Sequence, residues 1–388
     1  MDFAETPEHT ALRDAVNRIC AGFDDAFWLA RDTDGRFPHE LHRALAEAGF
    51  LGICIPEEHG GSGLGITEAA IMMQAIAQSG AAMSGASAVH MNIFGLNPVV
   101  RFGTPEQKQR MLPPLVAGRE QACFGVTEPD AGLDTTRLKT RAERRGDRYV
   151  VHGQKIWTST AQVAHKILLL ARTTPIEQVG RRTEGLSLFY TDLDRSRASV
   201  RLIEKMGRKA VDSNEVFFDG MEIPVCDRIG EEGCGFEYIL HGLNPERILI
   251  AAEAVGVGMV ALRKATAYAA NREVFGRKIG QNQGIQHPLA ECWMELEAAR
   301  LMTMKAAWDY DRGHPAGASA NAAKYLAAEA GFHACEVAVM THGGFGYAKE
   351  YHVERYLREI MIPRIAPVSP QLILCYIAER VLGLPRSY

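Results

Sequence analysis

Several familiar signatures are missing from this 388-residue chain. No C-x-x-C pair occurs. The eight cysteines (20, 54, 123, 226, 234, 292, 335 and 375) are scattered, which argues against a zinc site or a disulfide framework and suits a reducing cytoplasm. "HELH" (39–42) is not H-E-x-x-H, so no metal site is expected there. No G-x-S-x-G or phosphate-loop lysine motif appears. The glycine-rich "HGGSGLGI" (59–66) does not fit G-x-G-x-x-G and lies in no convincing parallel β-α-β unit, which leaves it a structural turn. No run of 18 apolar residues is present, so no membrane span is expected. Neither sign of charge dominates: the net charge of −4 gives no reason to expect nucleic acid or an acidic membrane surface as partner. The opening stretch "MDFAETPEHTALRDAV" lacks the basic and apolar regions of a signal peptide, and a cytoplasmic location is the expectation. Internal repeats and low-complexity tracts are absent too.

What remains has the composition of a soluble globular protein, 47% hydrophobic and 23% charged. At roughly 100–200 residues per domain it is long enough for two or three domains. Residues 1–121 read mainly as helices. "TPEHTALRDAVNRICAGF" and "PHELHRALAEAGFLGI" carry apolar residues at three- and four-residue spacing, each behind a proline. "GTPEQKQRMLPPLVAG" adds a short helix with Thr104 as N-cap. Between 122 and 235 the runs "ACFGVT", "DRYVVHG", "KILLLA", "GLSLFYTDL", "VRLIEKMG" and "NEVFFDGMEIP" predict short strands in an antiparallel barrel or sandwich, with a hairpin turning at Gly146–Asp147. From 236 to 388 long alanine-rich helices (245–272, 284–312, 318–341) predict a four-helix bundle. The fold class is therefore mainly α with a β insert.

Four stretches carry chemistry. "GVTEPDAGLDTT" (125–136) ends a strand and exposes Thr127, backbone amides and acidic groups. "HGQKIWTST" (152–160) sets Trp157 beside Thr158, Ser159 and Thr160, a flat aromatic next to hydroxyl donors. "NREVFGRKIGQNQGIQHPLAE" (271–291) puts Arg272 near a helix end, where it can cap carbonyls or reach a phosphate. "GLNPERILIAAEAVGVG" (242–258) opens an apolar helical run with the pair Glu246–Arg247. The structural account of that pair has Asn244 as N-cap, Pro245 at N1 and Glu246 complementing the helix dipole, a contribution of about 0.3–1 kcal/mol.

Taken in order, "TEPDAG", "GQKIWTS", "REVFGRKIGQNQGIQ" and "HGGFGYAKEYHVERYLRE" resemble the acyl-CoA dehydrogenase family over nearly the whole chain. The resemblance implies helical N- and C-terminal domains around a β domain, FAD as cofactor, and a homotetramer or a dimer with a completed site. It places Phe124, Val126 and Thr127 along the flavin, Gly132 in the adjoining turn, Trp157 over the ring and the Ser159 hydroxyl near flavin N5. Arg272, Phe275 and Gln283 would bind the FAD of a neighbouring subunit, Arg272 at its pyrophosphate. Gly343 and Gly344 would let backbone approach the adenosine half, and Ser369 and Gln371 match polar cofactor positions. Leu133 and Arg247 fall at substrate positions.

The chain departs from the family pattern in three places. Leu133 stands where a serine is common, and Met340 replaces a glutamine before the paired glycines. Many members carry their catalytic base in the loop before the last helix; here Pro367 falls at that position, and no carboxylate lies between Glu359 and Glu379. In isovaleryl- and long-chain-type members the base instead precedes an arginine early in the first bundle helix, which "LNPERI" matches. Glu246 is thus the expected base, with Glu253, seven residues on, in reserve. The implied reaction is α,β-dehydrogenation of a short or branched acyl-CoA, with an electron-transfer flavoprotein as acceptor. Pro367 has no N–H to offer a developing oxyanion, leaving Val368 as the alternative donor. The same fold also serves flavin-dependent monooxygenases and carrier-protein-linked acyl dehydrogenases. Glu246 argues against the oxygenase, which needs no strong base at the α-carbon. The missing loop carboxylate motivates a third alternative, a non-catalytic flavin-binding protein.

Overall fold

The computed structural model describes residues 5–387; the first four residues of the acidic opening stretch and Tyr388 lie outside it. Seven helices come first: α1 (Pro7–Cys20), α2 (Asp25–Asp34), α3 (His39–Glu47), α4 (Ile66–Ile76), α5 (Ala82–Phe94), α6 (Asn97–Phe102) and α7 (Pro105–Val116). Their starts follow local chemistry. The Thr6 hydroxyl accepts from the His9 N–H at the head of α1. Thr104 and Gln107 form a reciprocal capping box at α7, with Pro105 at N1 as the sequence predicts. The 77–81 stretch joining α4 to α5 kinks at Gly80, whose φ of 112° suits only glycine.

The middle region is one eight-stranded sheet: β1 (Ala122–Gly125), β2 (Arg141–Arg145), β3 (Arg148–Ser159), β4 (Lys166–Arg172), β5 (Leu186–Asp192), β6 (Ala198–Leu202), β7 (Ser213–Pro224) and β8 (Arg228–Ile229). Its order is β6-β7-β3-β2-β4-β5-β8, with β1 paired to β4. The β2–β3 hairpin turns at Gly146–Asp147, as expected. The sheet is not wholly antiparallel: β1 and β2 both run parallel to β4, because the chain returns to β4 through the β2–β3 hairpin. Long β3 and β7 pair in register except for two irregularities, at Val151/His152 and at Lys155/Thr158.

The C-terminal region holds α8 (Gly235–Asn271), a small hairpin of β9 (Glu273–Val274) and β10 (Arg277–Lys278), then α9 (Gln283–Asp311), α10 (Gly317–His342), α11 (Val353–Glu359), α12 (Met361–Ile365) and α13 (Pro370–Arg380). Helices α8, α9, α10 and α13 make the bundle, and α4 and α5 pack against α8. Small residues allow this closeness. A Cβ on Gly258 of α8 would come within 3.0 Å of the Gly331 Cα on α10, and one on Gly256 within 2.6 Å of the Gln74 carbonyl on α4. Among the described residues, Val353–Arg380 alone has the length and apolar composition of a membrane span. It is interrupted at 366–369 and carries Arg355, Arg358, Glu359 and Arg364.

Candidate functional site

The helix that bears Glu246 begins ten residues earlier than the Asn244 cap would have it. Helix α8 starts at Gly235, so Pro245 and Glu246 lie inside it. Pro245 has no N–H for the His241 carbonyl, yet the helix continues because its faces are held by α4, α5 and α10. The capping account of Glu246 therefore fails, since the dipole of a helix start acts only within its first turn. Asn244 serves the neighbouring arginine instead: its Oδ1 accepts from Arg247 Nη1 at 3.1 Å.

Glu246 is half-buried. Burial pushes its carboxyl up to about 7, against the pull of His90 and Arg247; Glu253 pushes the same way as burial and Lys324 against it. A carboxyl in this range takes up and releases a proton near neutral pH, which is what a general base must do. Glu253 has a different environment. It is fully buried, and its Oε1 is ion-paired to Nδ1 of His90, which projects from α5. Burial, the largest single influence, lowers the His90 pKa; the charge and hydrogen bond of Glu253 together with the Glu246 charge outweigh it, and the net shift is upward. Nearby, Arg208 lies in the loop between β6 and β7. Its Nη1 donates to Ser87 Oγ of α5 at 3.2 Å, and its Nη2 to Ser159 Oγ at 3.0 Å.

Facing this helical wall is the edge of the β sheet. The Phe124 ring meets Phe94 edge-on at 5.3 Å, and Phe94 in turn meets His90 at 4.8 Å, which ties the strand to the Glu246 neighbourhood. Val126 and Thr127 follow on the same strand exit. The Thr127 carbonyl accepts from the Ile156 N–H, and the Val126 carbonyl from Lys155 Nζ at 3.0 Å. Lys155 is fully buried and bonds Glu128 Oε1 at 2.8 Å, while Glu128 also accepts from the Lys139 and Thr140 N–H groups. Trp157 lies in the irregularity between Lys155 and Thr158. At φ 60° it is 57% exposed, thrown outward as β-bulges do. Gly132 and Leu133 stand in the exposed turn beyond Pro129.

The remaining expected residues lie elsewhere. Arg272 follows the last turn of α8, where its guanidinium covers the Phe345 ring at 5.4 Å. Phe275, at φ 51°, is fully exposed at the tip of the β9–β10 hairpin. Gln283 begins α9. Gly343 takes φ 59°, and a Cβ on Gly343 or Gly344 would meet nothing within 4 Å. Ser369 caps α13, its Oγ accepting from the Leu372 N–H at 3.3 Å, and exposed Gln371 is in that first turn. In the loop before it, Val368 gives its carbonyl to Lys324 Nζ at 2.7 Å. The distance matters: Arg272 lies 26 residues beyond Glu246 on one helix, about 39 Å of rise. The Glu246 and Arg272 groups therefore belong to opposite ends of the subunit.

Sequence reasoning missed His90 and Arg208 altogether, and passed over Glu128 and Lys155 although both lie inside quoted motifs. A charged residue inside each motif was the available signal for that last pair.

A helical domain, a β domain and a bundle that enclose a helix-borne carboxylate beside an aromatic strand edge define a site suited to proton abstraction. Comparison with known proteins gives the family. The acyl-CoA dehydrogenase N-terminal, middle and C-terminal domains match residues 6–119, 123–221 and 233–382. The acyl-CoA dehydrogenase FadE12 of Mycobacterium tuberculosis is 37% identical over 100% of this chain and 99% of its own. The CarC subunit of the caffeyl-CoA reductase–Etf complex of Acetobacterium woodii is 32% identical over 93% and 90%. The structure of glutaryl-coenzyme A dehydrogenase in its glutaryl-CoA complex superposes with a TM-score of 0.94 at 30% identity, covering 100% of this chain and 98% of that one. The chain belongs to the acyl-CoA dehydrogenase family, and is an oxidoreductase.

Proposed function

We propose that the protein catalyses α,β-dehydrogenation of a short or branched acyl-CoA, with Glu246 removing the α-proton. The observation that carries this is the half-buried Glu246 carboxyl, which titrates near neutrality in the absence of any carboxylate between Glu359 and Glu379. Glu253 is committed to His90 and is the poorer candidate.

The residues present fit FAD. Trp157 and the Ser159 hydroxyl stand at the end of β3, and Phe124, Val126 and Thr127 line the strand exit next to it. When bound, FAD supplies a hydride acceptor for the β-hydrogen. The protein's part is to hold the thioester with its α-carbon against Glu246 and to exclude water between the Phe94–Phe124 pair and α8. Arg247 and Leu133 are assigned to substrate contact. Because Pro367 brings no N–H, oxyanion donation from this loop is left to the Val368 N–H, held in place by the Lys324–Val368 bond.

Arg272 and Phe275 lie beyond the far end of α8 from Glu246, with Gln283 at the start of α9 and Gly343 and Gly344 just past α10, so this group is assigned to a neighbouring subunit's FAD. A fully exposed phenylalanine at positive φ is otherwise unexplained. Exposed Trp293, Met294, Leu301 and Trp308 on α9 support a homo-oligomer. An inactive Glu246→Gln subunit co-expressed with an FAD-deficient Arg272→Ala subunit is expected to regain activity, because mixed oligomers contain one intact site. Hybrids as inactive as their parents would count against the shared site. An electron-transfer flavoprotein is the proposed acceptor.

Anaerobic titration of the FAD-bound protein with acyl-CoAs of graded length and branching tests the reaction. Bleaching of flavin absorbance by a short or branched subset is the expected result. A flavin unbleached by the whole panel would overturn the proposal, and oxygen uptake by the reduced protein would redirect it to an oxygenase.

A further inference from the structure

The His90–Glu253 pair has no part in the reaction as described, yet it is an ion pair buried next to the base. Glu253 lies two turns beyond Glu246 on α8, so both carboxyls look toward the same side of the helix. His90 comes across from α5 and is held by Glu253 through Nδ1. Its ring edge touches Phe94, which continues to Phe124 on the strand edge. A buried ion pair in general adds little stability, because desolvation offsets the attraction. Its persistence here calls for another role.

We infer that His90 and Glu253 form a positioning device for Glu246, in which Glu253 holds His90 as a cation and that cation holds Glu246 as a carboxylate ready for the α-proton. The inference rests on Glu246 being the base. The groups facing Glu246 are His90 from α5, Arg247 and Glu253 from α8, and Lys324 from α10. Burial raises Glu246, and His90 is the foremost influence against it. His90 is itself faced by Glu253 and Glu246 from α8 and by Arg208 from the loop before β7. Glu253 is the largest influence keeping His90 charged. Removing Glu253 leaves burial and Arg208 opposed only by the Glu246 charge, so His90 is discharged and Glu246 loses its cation, although it also loses the upward push of Glu253 itself.

This logic predicts an unusual pattern in the FAD-bound protein. His90→Gln should move the acid limb of the kcat profile upward by about one pH unit or more, and Glu253→Gln and the double variant should move it upward by less, because both also remove the Glu253 push on Glu246. At about pH 7 kcat of His90→Gln falls about fivefold or more, recovers at alkaline pH, and KM is nearly unchanged. The double variant should shift no further than either single one, a coupling that independent sites would not show. It also replaces both charges by amides that can bond each other, so it remains informative if a single variant fails to fold. A folded, flavin-bound double variant with the wild-type acid limb would overturn the inference, as would shifts that add. The infrared band of protonated Glu246, assigned by its loss in Glu246→Gln, reads the same titration without turnover. If no acyl-CoA is oxidised but that band moves in the variants, the proposed reaction fails while the pairing stands. A band that does not move overturns the pairing itself.

Discussion

Glu246→Gln should leave a yellow, folded protein whose turnover is reduced by about 10²–10⁴-fold, the usual contribution of a general base. Glutamine keeps the volume and polarity of the side chain and cannot accept the α-proton. Because Glu246 bonds neither the β3 motif nor the Arg272 end of α8, FAD content should be unchanged. The same variant should be more stable than the wild type at neutral and alkaline pH. Burial raises the folded carboxyl from 4.5 to about 7, so the fold favours its neutral form. The stability this confers is fully present below about 4.5 and is lost as pH rises through about 7. Glutamine is neutral at every pH. Thermal denaturation should therefore show a gain for the variant at about pH 8, bounded near 3 kcal/mol, and none at about pH 4. Lower activity with higher stability is the trade expected of a functional group whose burial disfavours its charged form. Retained turnover would move the base to Glu253.

Lys155→Met should destabilise the protein by about 3–5 kcal/mol, the cost of leaving one member of a buried ion pair alone. Burial pulls the Lys155 ammonium down to about 8 against the Glu128 charge, so its environment already disfavours the ion and only its bonds to Glu128 and the Val126 carbonyl hold it there. Without it the buried Glu128 loses its foremost stabilising charge and burial pushes its carboxyl up, though its bonds from the Lys139 and Thr140 N–H groups persist. The consequence reaches the cofactor. Lys155 ties β3, which carries Trp157 and Ser159, to the strand exit that carries Val126 and Thr127. Loosening that tie should speed FAD release as well as lower Tm. Adding Glu128→Gln should recover part of the stability, since both charges are then gone. A Lys155→Met protein within about 1 kcal/mol of wild type in chemical denaturation would contradict this account.

Features that depend on near neighbours were legible in the sequence. The Thr104 cap, the hairpin at Gly146–Asp147 and five of the six apolar strand runs each follow from a few adjacent residues, and the structure has them; of "VRLIEKMG" only 200–202 is strand. The start of α8 was not legible. Pro245 after Asn244 looks like a first turn, and only packing by α4, α5 and α10 explains a helix that runs through it. Trp157 was recognisable as an aromatic beside hydroxyls, but its outward bulge depends on the register between β3 and β7. His90 was hidden for a different reason. It sits in an apolar helix 163 residues from Glu253, and periodicity gives no sign of a partner that far away. Arg208 is likewise isolated in a loop and meets Ser87 and Ser159 only through the fold.

The most direct test of Glu246 separates proton removal from hydride transfer. An acyl-CoA with no β-hydrogen, such as 3,3-dimethylbutyryl-CoA, cannot be dehydrogenated, so any exchange of its α-hydrogens in D2O reports the base alone. Incubated with the FAD-bound protein and followed by mass spectrometry, it should gain α-deuterium with the wild type and with Leu133→Ser. It should gain none above background with Glu246→Gln. Exchange at the wild-type rate in Glu246→Gln would show that another group takes the proton and would contradict the assignment.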